Sequence, residues 1–151
     1  MDISYNKFEG FAAGTSIGKI IAKPRNMEDC LPLLVVNIQN NNLGDNGFGA
    51  LIPYLEDINT DLETLILANN NIEHCKLKPA KEGSGGGKDY GIIKLRNLDL
   101  SGNKFWPHQY MKLASVIASI NPLQSIDLSK CWITDDGAEV IFNRLEKLRR
   151  I

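Results

Sequence analysis

The sequence predicts an α/β solenoid, right-handed, with a curved parallel sheet inside and helices outside, made of about four full repeats plus partial terminal repeats. Three observations predict it. One short apolar pattern, Leu-x-x-Leu-x-Leu-x-x-Asn-x-Leu, returns along the 151 residues with its apolar positions aligned. Its central x-Leu-x-Leu-x has the period of two expected of a half-buried strand. Each copy is followed by a stretch whose apolar residues recur at three and four, the period of a helix.

An incomplete copy opens the chain as Met1-x-Ile3-x-x-Asn6-x-Phe8. It predicts a strand near Met1 to Ser4, then a helix near Phe11 to Ala22. The next copy, Leu33-x-x-Val36-x-Ile38-x-x-Asn41-x-Leu43, predicts a strand over Val35 to Gln39. Gly44-Asp45-Asn46-Gly47-Phe48-Gly49-Ala50-Leu51 follows it, running on to Tyr54-Leu55 as a helix. Leu62-x-x-Leu65-x-Leu67-x-x-Asn70-x-Ile72 predicts a strand over Thr64 to Ala68, and Leu95-x-x-Leu98-x-Leu100-x-x-Asn103-x-Phe105 one over Asn97 to Ser101. The helix of that unit runs from His108 to Ile120, with Tyr110, Leu113, Ile117 and Ile120 on one face and Pro122 stopping it. Leu123-x-x-Ile126-x-Leu128-x-x-Cys131-x-Ile133 gives the last strand, Ser125 to Ser129. A helix over about Asp136 to Lys147 comes next, with Thr134 or Asp135 as N-cap and Gly137-Ala138 allowing close packing on its neighbour. Leu148-x-x-Ile151 begins another copy.

The Asn of the pattern turns the chain out of the sheet. Its amide carries two donors and an acceptor, enough to satisfy backbone groups that a parallel strand leaves unpaired as it ends. Stacked repeats align these residues as a ladder: Asn6, Asn41, Asn70, Asn103 and Cys131. A thiol is a small group with a weak donor and suits the last slot, so Cys131 reads as structural. The ladder positions are 35, 29, 33 and 28 residues apart, and the short intervals set the period near 28.

The motif, that period, the Asn/Cys alternation and the Gly44-Asp45-x-Gly47-x-x-Ala50-Leu51 helix start resemble leucine-rich repeats of the ribonuclease-inhibitor-like class. Ribonuclease inhibitor, the Ran GTPase-activating protein, tropomodulin-like and CARMIL-like actin regulators and NLR receptors share them. The resemblance covers nearly the whole chain and implies a protein-interaction scaffold, or alternatively a GTPase-activating or actin-regulatory protein. It rests on residues that build the solenoid, so it selects no individual member. GTPase activation would require Asn and Arg in the loops after strands, and Arg25 is the only arginine well placed in an insertion.

Two intervals are long. Residues 78–90 read as a flexible Gly-rich insertion, and removing Gly83 to Gly87 would shorten that interval from 33 to 28. A phosphate-binding reading of Gly83 to Lys88 fails, because Asp89 stands where Ser or Thr would be needed and no strand precedes it. Lys23 to Asp29 reads as a charged surface loop after the first helix. Residues 1–151 read as a single domain, a fragment of a longer solenoid, since Met1, Ile3 and Phe8 at one end and Leu145, Leu148 and Ile151 at the other are apolar where a cap would be polar. Self-association through such uncapped ends is a further expectation.

Seventeen Lys and Arg against 18 Asp and Glu leave a net charge of −1, with no basic field for nucleic acid. The apolar run Leu31 to Val36 is far too short for membrane insertion. Cys30, Cys75 and Cys131 form neither a disulfide framework nor a zinc motif, and a reducing, cytoplasmic setting follows. His74 and His108 have no partner at a catalytic or metal-binding spacing, so neither enzyme activity, cofactor nor metal is expected.

What remains is binding of another protein on the solvent face of the sheet. The middle row there reads Asp2, Asn37, Ile66, Asp99 and Asp127. Val35, Thr64, Asn97 and Ser125 flank it on one side, and Ser4, Gln39, Ala68, Ser101 and Ser129 on the other. The candidate binding residues are Asp2, Asn37, Gln39, Ile66, Asp99 and Asp127, whose aspartates, on strands about 5 Å apart, could receive Lys or Arg from a partner. Trp106 and Trp132 read as core or rim packing.

Overall fold

Alternation of buried and outward residues resolves into four short parallel strands joined in sequence order. The structure, a computed structural model, describes residues 1–22, 33–56, 61–75, 94–120 and 123–149. Helix α1 (Gly10–Ile21) precedes β1 (Val35–Asn37), α2 (Gly44–Leu55) and β2 (Thr64–Ile66). Then come β3 (Asn97–Asp99), a 3₁₀ turn (Pro107–Gln109) leading into α3 (Tyr110–Ser119), β4 (Ser125–Asp127) and α4 (Asp135–Arg149). The sheet order is β1-β2-β3-β4, each pair parallel, with Val36, Leu65, Leu98 and Ile126 in one row. A parallel sheet with flanking helices in this alternation is an α/β repeat fold. The expected Gly-rich insertion at 78–90, the Lys23 to Asp29 loop, Cys30 and Ile151 lie outside the described residues, as do the side chains of Leu145 and Leu148.

The strands are three residues long where five were expected, and the opening copy forms an isolated bridge, Asp2 with Asn37. Two local devices end them. The residue before each ladder position turns left-handed: Tyr5, Asn40, Asn69 and Lys130 have φ of 55°, 54°, 53° and 57°, and Gly102 has 69°. Side-chain oxygens of the middle row also take the N–H two residues on, Asp2 from Ser4, Asn37 from Gln39, Asp99 from Ser101 and Asp127 from Ser129. Inter-repeat bonding nevertheless continues past the strand ends, as Ile38 N–H to Ile66 C=O at 2.8 Å and Leu100 N–H to Asp127 C=O at 2.9 Å.

Motif leucines supply the core. Val36, Ile38, Leu43, Leu62, Leu65, Leu67, Ile72, Leu95, Leu100 and Phe105 are at most 2% exposed, and full burial of one such side chain contributes about 1.5–3 kcal/mol before entropy is counted. In the outermost copies the corresponding residues, Ile3, Phe8, Ile126, Leu128 and Ile133, are half-buried. Helices pack in neighbouring pairs through small residues. A Cβ on Gly14 would meet the Gly47 backbone, and one on Gly137 the Tyr110 ring, so Gly137 does permit the close approach its position suggested. Thr134 caps α4, its Oγ1 accepting from Gly137 N–H at 3.3 Å. The N-terminal N–H groups of α1 and α2 are met instead by carbonyls of the following copy, Gly10 to Leu43 and Gly44 to Asn70.

Candidate functional site on the outer sheet face and its rim

The ladder positions the site. The Nδ2 of Asn70 donates to the carbonyls of Leu67, Ala68 and, in the preceding copy, Ile38, while its Oδ1 accepts from Leu43 N–H. Asn41 and Asn103 repeat this arrangement, Asn41 reaching back to Ile3 and Asn103 to Leu67. Among the described residues Asn6 bonds within its own turn, to the Ile3 and Ser4 carbonyls, and it is exposed. Cys131 takes over half of the role: its Sγ donates to the Leu100 carbonyl at 3.1 Å. The Phe105 N–H, which an amide oxygen would receive, is met by the Cys131 backbone carbonyl at 3.2 Å.

With the rungs in register, the middle row of the outer face is assembled as Asp2, Asn37, Ile66, Asp99 and Asp127. No described element covers it. Asp2 and Asp127 are exposed, and Asn37, Ile66, Asp99 and the flanking Gln39 are half-buried. Asp99 and Asp127 are neighbours, whereas Asn37 and Ile66 separate Asp2 from them. Ala68, expected on this face, is buried, at 4% exposure. The Ser4 hydroxyl and N–H lower the Asp2 pKa, and the Ser129 N–H lowers that of Asp127. Both stay charged at neutral pH, so the row is an anionic surface with one apolar member.

Along the edge where the strands end, the structure brings together residues that the sequence reading had left apart. Asn69 Nδ2 donates to Asn40 Oδ1 at 3.1 Å, and Asn71 Nδ2 to Asn42 Oδ1 at 2.6 Å, so each Asn triplet pairs with the other on both sides of the buried rung. Trp106 and Trp132, expected to pack, are 47% and 62% exposed. Turn geometry holds them outward: the Trp106 Nε1 donates to Glu73 Oε2 at 3.1 Å, and Lys104 Nζ lies 4.6 Å from the Trp132 ring centroid. Asp45 Oδ1 accepts from the N–H groups of Glu73 and His74, and its Oδ2 meets His74 Nδ1 at 2.8 Å. Burial acts to raise the Asp45 pKa but is outweighed by these bonds, which hold it below the usual carboxylate value.

The two described thiols, Cys75 and Cys131, are buried. Burial pushes Cys75 up to about 12 and Cys131 up to about 11, far from the lowered values of nucleophilic cysteines. Among the described residues no helix is long and apolar enough to cross a membrane.

A comparison with curated proteins found no match. The family model described as Leucine Rich repeat matches residues 29–51 and 120–142. Each matched stretch runs through a strand and its ladder position, Asn41 in one and Cys131 in the other, into the helix that follows. Together with the parallel sheet and the rungs between its copies, the two matches support a leucine-rich repeat protein, of a kind that generally mediates protein–protein interaction and is typically non-enzymatic.

Proposed function

We propose that this chain is a non-catalytic module that binds another protein through the outer face of its sheet and the adjoining rim loops. The uncovered row Asp2, Asn37, Ile66, Asp99 and Asp127 carries this reading: five consecutive copies present one side chain each to solvent, with Gln39 beside them. Such a row has the shape of an extended binding surface on a repeat scaffold. Lys or Arg of a partner would meet the Asp99 and Asp127 pair, and an apolar side chain Ile66. Exposed Trp106 and Trp132 add aromatic area of the sort that dominates interface energetics. The right-handed winding, about four full repeats and the ribonuclease-inhibitor-like class belong to the same proposal, supported by the ladder spacing and the Cys131 slot. So does a cytoplasmic setting, which suits the buried free thiols Cys75 and Cys131.

The half-buried apolar residues of the last copy, Ile126, Leu128 and Ile133, support association with a second copy of the chain there. Light scattering on the isolated protein distinguishes a dimer from a monomer.

Photo-crosslinking tests the main reading. A crosslinker at Ile66 should capture a discrete protein from cell lysate, and the charge-reversing pair Asp99→Lys and Asp127→Lys should abolish that capture. A crosslinker at Glu139, exposed on α4, should capture nothing specific. Capture from α4 and not from the sheet would refute the assignment.

A further inference from the structure

Two imidazoles meet on the rim. His74 follows the rung at Asn70 and His108 the rung at Asn103, so they come from neighbouring copies, and they are the protein's only histidines. Their ring centroids lie 5.5 Å apart, with the planes tilted by 52°. One of them is held from behind. Asp45 meets His74 at Nδ1 and is itself fastened by two backbone N–H groups. In a neutral imidazole a carboxylate accepting from Nδ1–H leaves the lone pair on Nε2, which is how carboxylates behind metal-binding histidines orient them. His108 is exposed, and among the described residues no hydrogen bond occupies its ring.

The separation is one that a shared ion allows. Ion-to-nitrogen distances of about 2.0–2.1 Å place two coordinated rings roughly 4.5–6.5 Å apart, centre to centre, for ligand angles from about 90° to 180°. The observed spacing lies within that range. We propose that His74 and His108 form a two-imidazole site for a divalent transition-metal ion, with Asp45 as its positioning residue.

Among the described residues no cluster of three or more His, Cys, Asp or Glu could hold an ion, and the proposed site rests on the two imidazoles. A ligand set of imidazoles selects Cu²⁺, Ni²⁺ and Zn²⁺ over Mg²⁺ and Ca²⁺, and the Irving–Williams order places Cu²⁺ tightest. Cys75 and Cys131 are buried in the core, at 1% exposure each, away from the rim surface.

Titration of the full chain with CuCl₂ and with ZnCl₂, followed by calorimetry and by the nitrogen hyperfine structure of the Cu²⁺ EPR spectrum, tests the site. One Cu²⁺ per chain is expected, with two equivalent nitrogens, tighter than Zn²⁺ and unaffected by excess Mg²⁺. His108→Ala, at an exposed position, should weaken binding by more than about tenfold without changing the melting temperature, and Asp45→Asn should weaken it by about tenfold at unchanged stoichiometry. Copper binding that survives both His108→Ala and His74→Gln at full strength, or that shows no imidazole nitrogen, would overturn the proposal.

Discussion

The Oδ1 of Asn69 stands where a Cβ on Gly102 would have to be. At the same point of other copies Tyr5, Asn40, Asn69 and Lys130 tolerate the left-handed backbone, at about 1 kcal/mol or somewhat more apiece. A side chain at Gly102 meets a second obstacle, because Asn69 can withdraw only by giving up its bond to Asn40. Gly102→Ala should therefore cost about 2–3 kcal/mol, but only about 1 kcal/mol when Asn69 is already alanine. Urea denaturation of the four proteins of that cycle measures the coupling. Equal costs in both backgrounds would remove the collision from the account.

Rungs should differ in worth by their burial. Asn70→Ala leaves the Leu43 N–H unmet in the core and takes one of two donors from each of the Ile38, Leu67 and Ala68 carbonyls, and is expected to cost about 2–3 kcal/mol. Asn6→Ala, at an exposed turn, should cost less than about 1 kcal/mol. Thermal melts of the two variants give the ordering, and a reversed ordering would contradict the ladder energetics.

Cys131 offers a graded test of the half-filled slot. Removing the donor in Cys131→Ala leaves the Leu100 carbonyl with Asn103 Nδ2 alone of its two side-chain donors, for a loss of about 1 kcal/mol. Cys131→Asn supplies both a donor and an acceptor and should hold stability at or above that of the parent chain. Denaturant midpoints rank the three proteins. The thiol should also resist alkylation until the chain unfolds, since burial keeps it protonated.

Acid should act through Asp45. Its folded-state pKa lies below the ordinary 3.8, so the carboxylate stabilises the fold above that pH, and the contribution fades as pH falls through the depressed value. The stability difference between the parent chain and Asp45→Asn should then shrink as the pH is lowered from about 4 through the depressed value. Denaturation series at several pH values follow it, and a gap that widens on acidification would reverse the sign.

Much of the fold was legible because burial and repeat spacing are both written in residue types: Leu65, Leu67 and Asn70 announce strand, core and rung directly. Strand length was not, since it follows the left-handed residue before each rung, with side-chain oxygens at Asn37, Asp99 and Asp127 taking the next N–H groups in three strands and Ile66 taking none in the equally short β2. The rim was harder. Trp106 looks apolar in sequence, and its exposure follows from a turn that hands its N–H to Glu73. One signal was available and unused: Asp45 and His74 each stand four residues after a rung, Asn41 and Asn70, so aligning the copies by their rungs sets the two side by side. His108, five residues after Asn103, falls in the next row.

Every interior rung amide holds a carbonyl of its own copy and one of the copy before it, as Asn70 holds Leu67 and Ile38. The unit of cooperativity is therefore the interface between copies, and the chain should behave as a row of coupled segments, each ordered by its neighbour. Fraying would start at the outer copies, whose apolar residues are half-buried, and halt at Asn70 and Asn103. A lesion at either rung would cut that communication and let the two flanking blocks melt as separate transitions, with the amides between β2 and β3 the last to exchange in the intact chain.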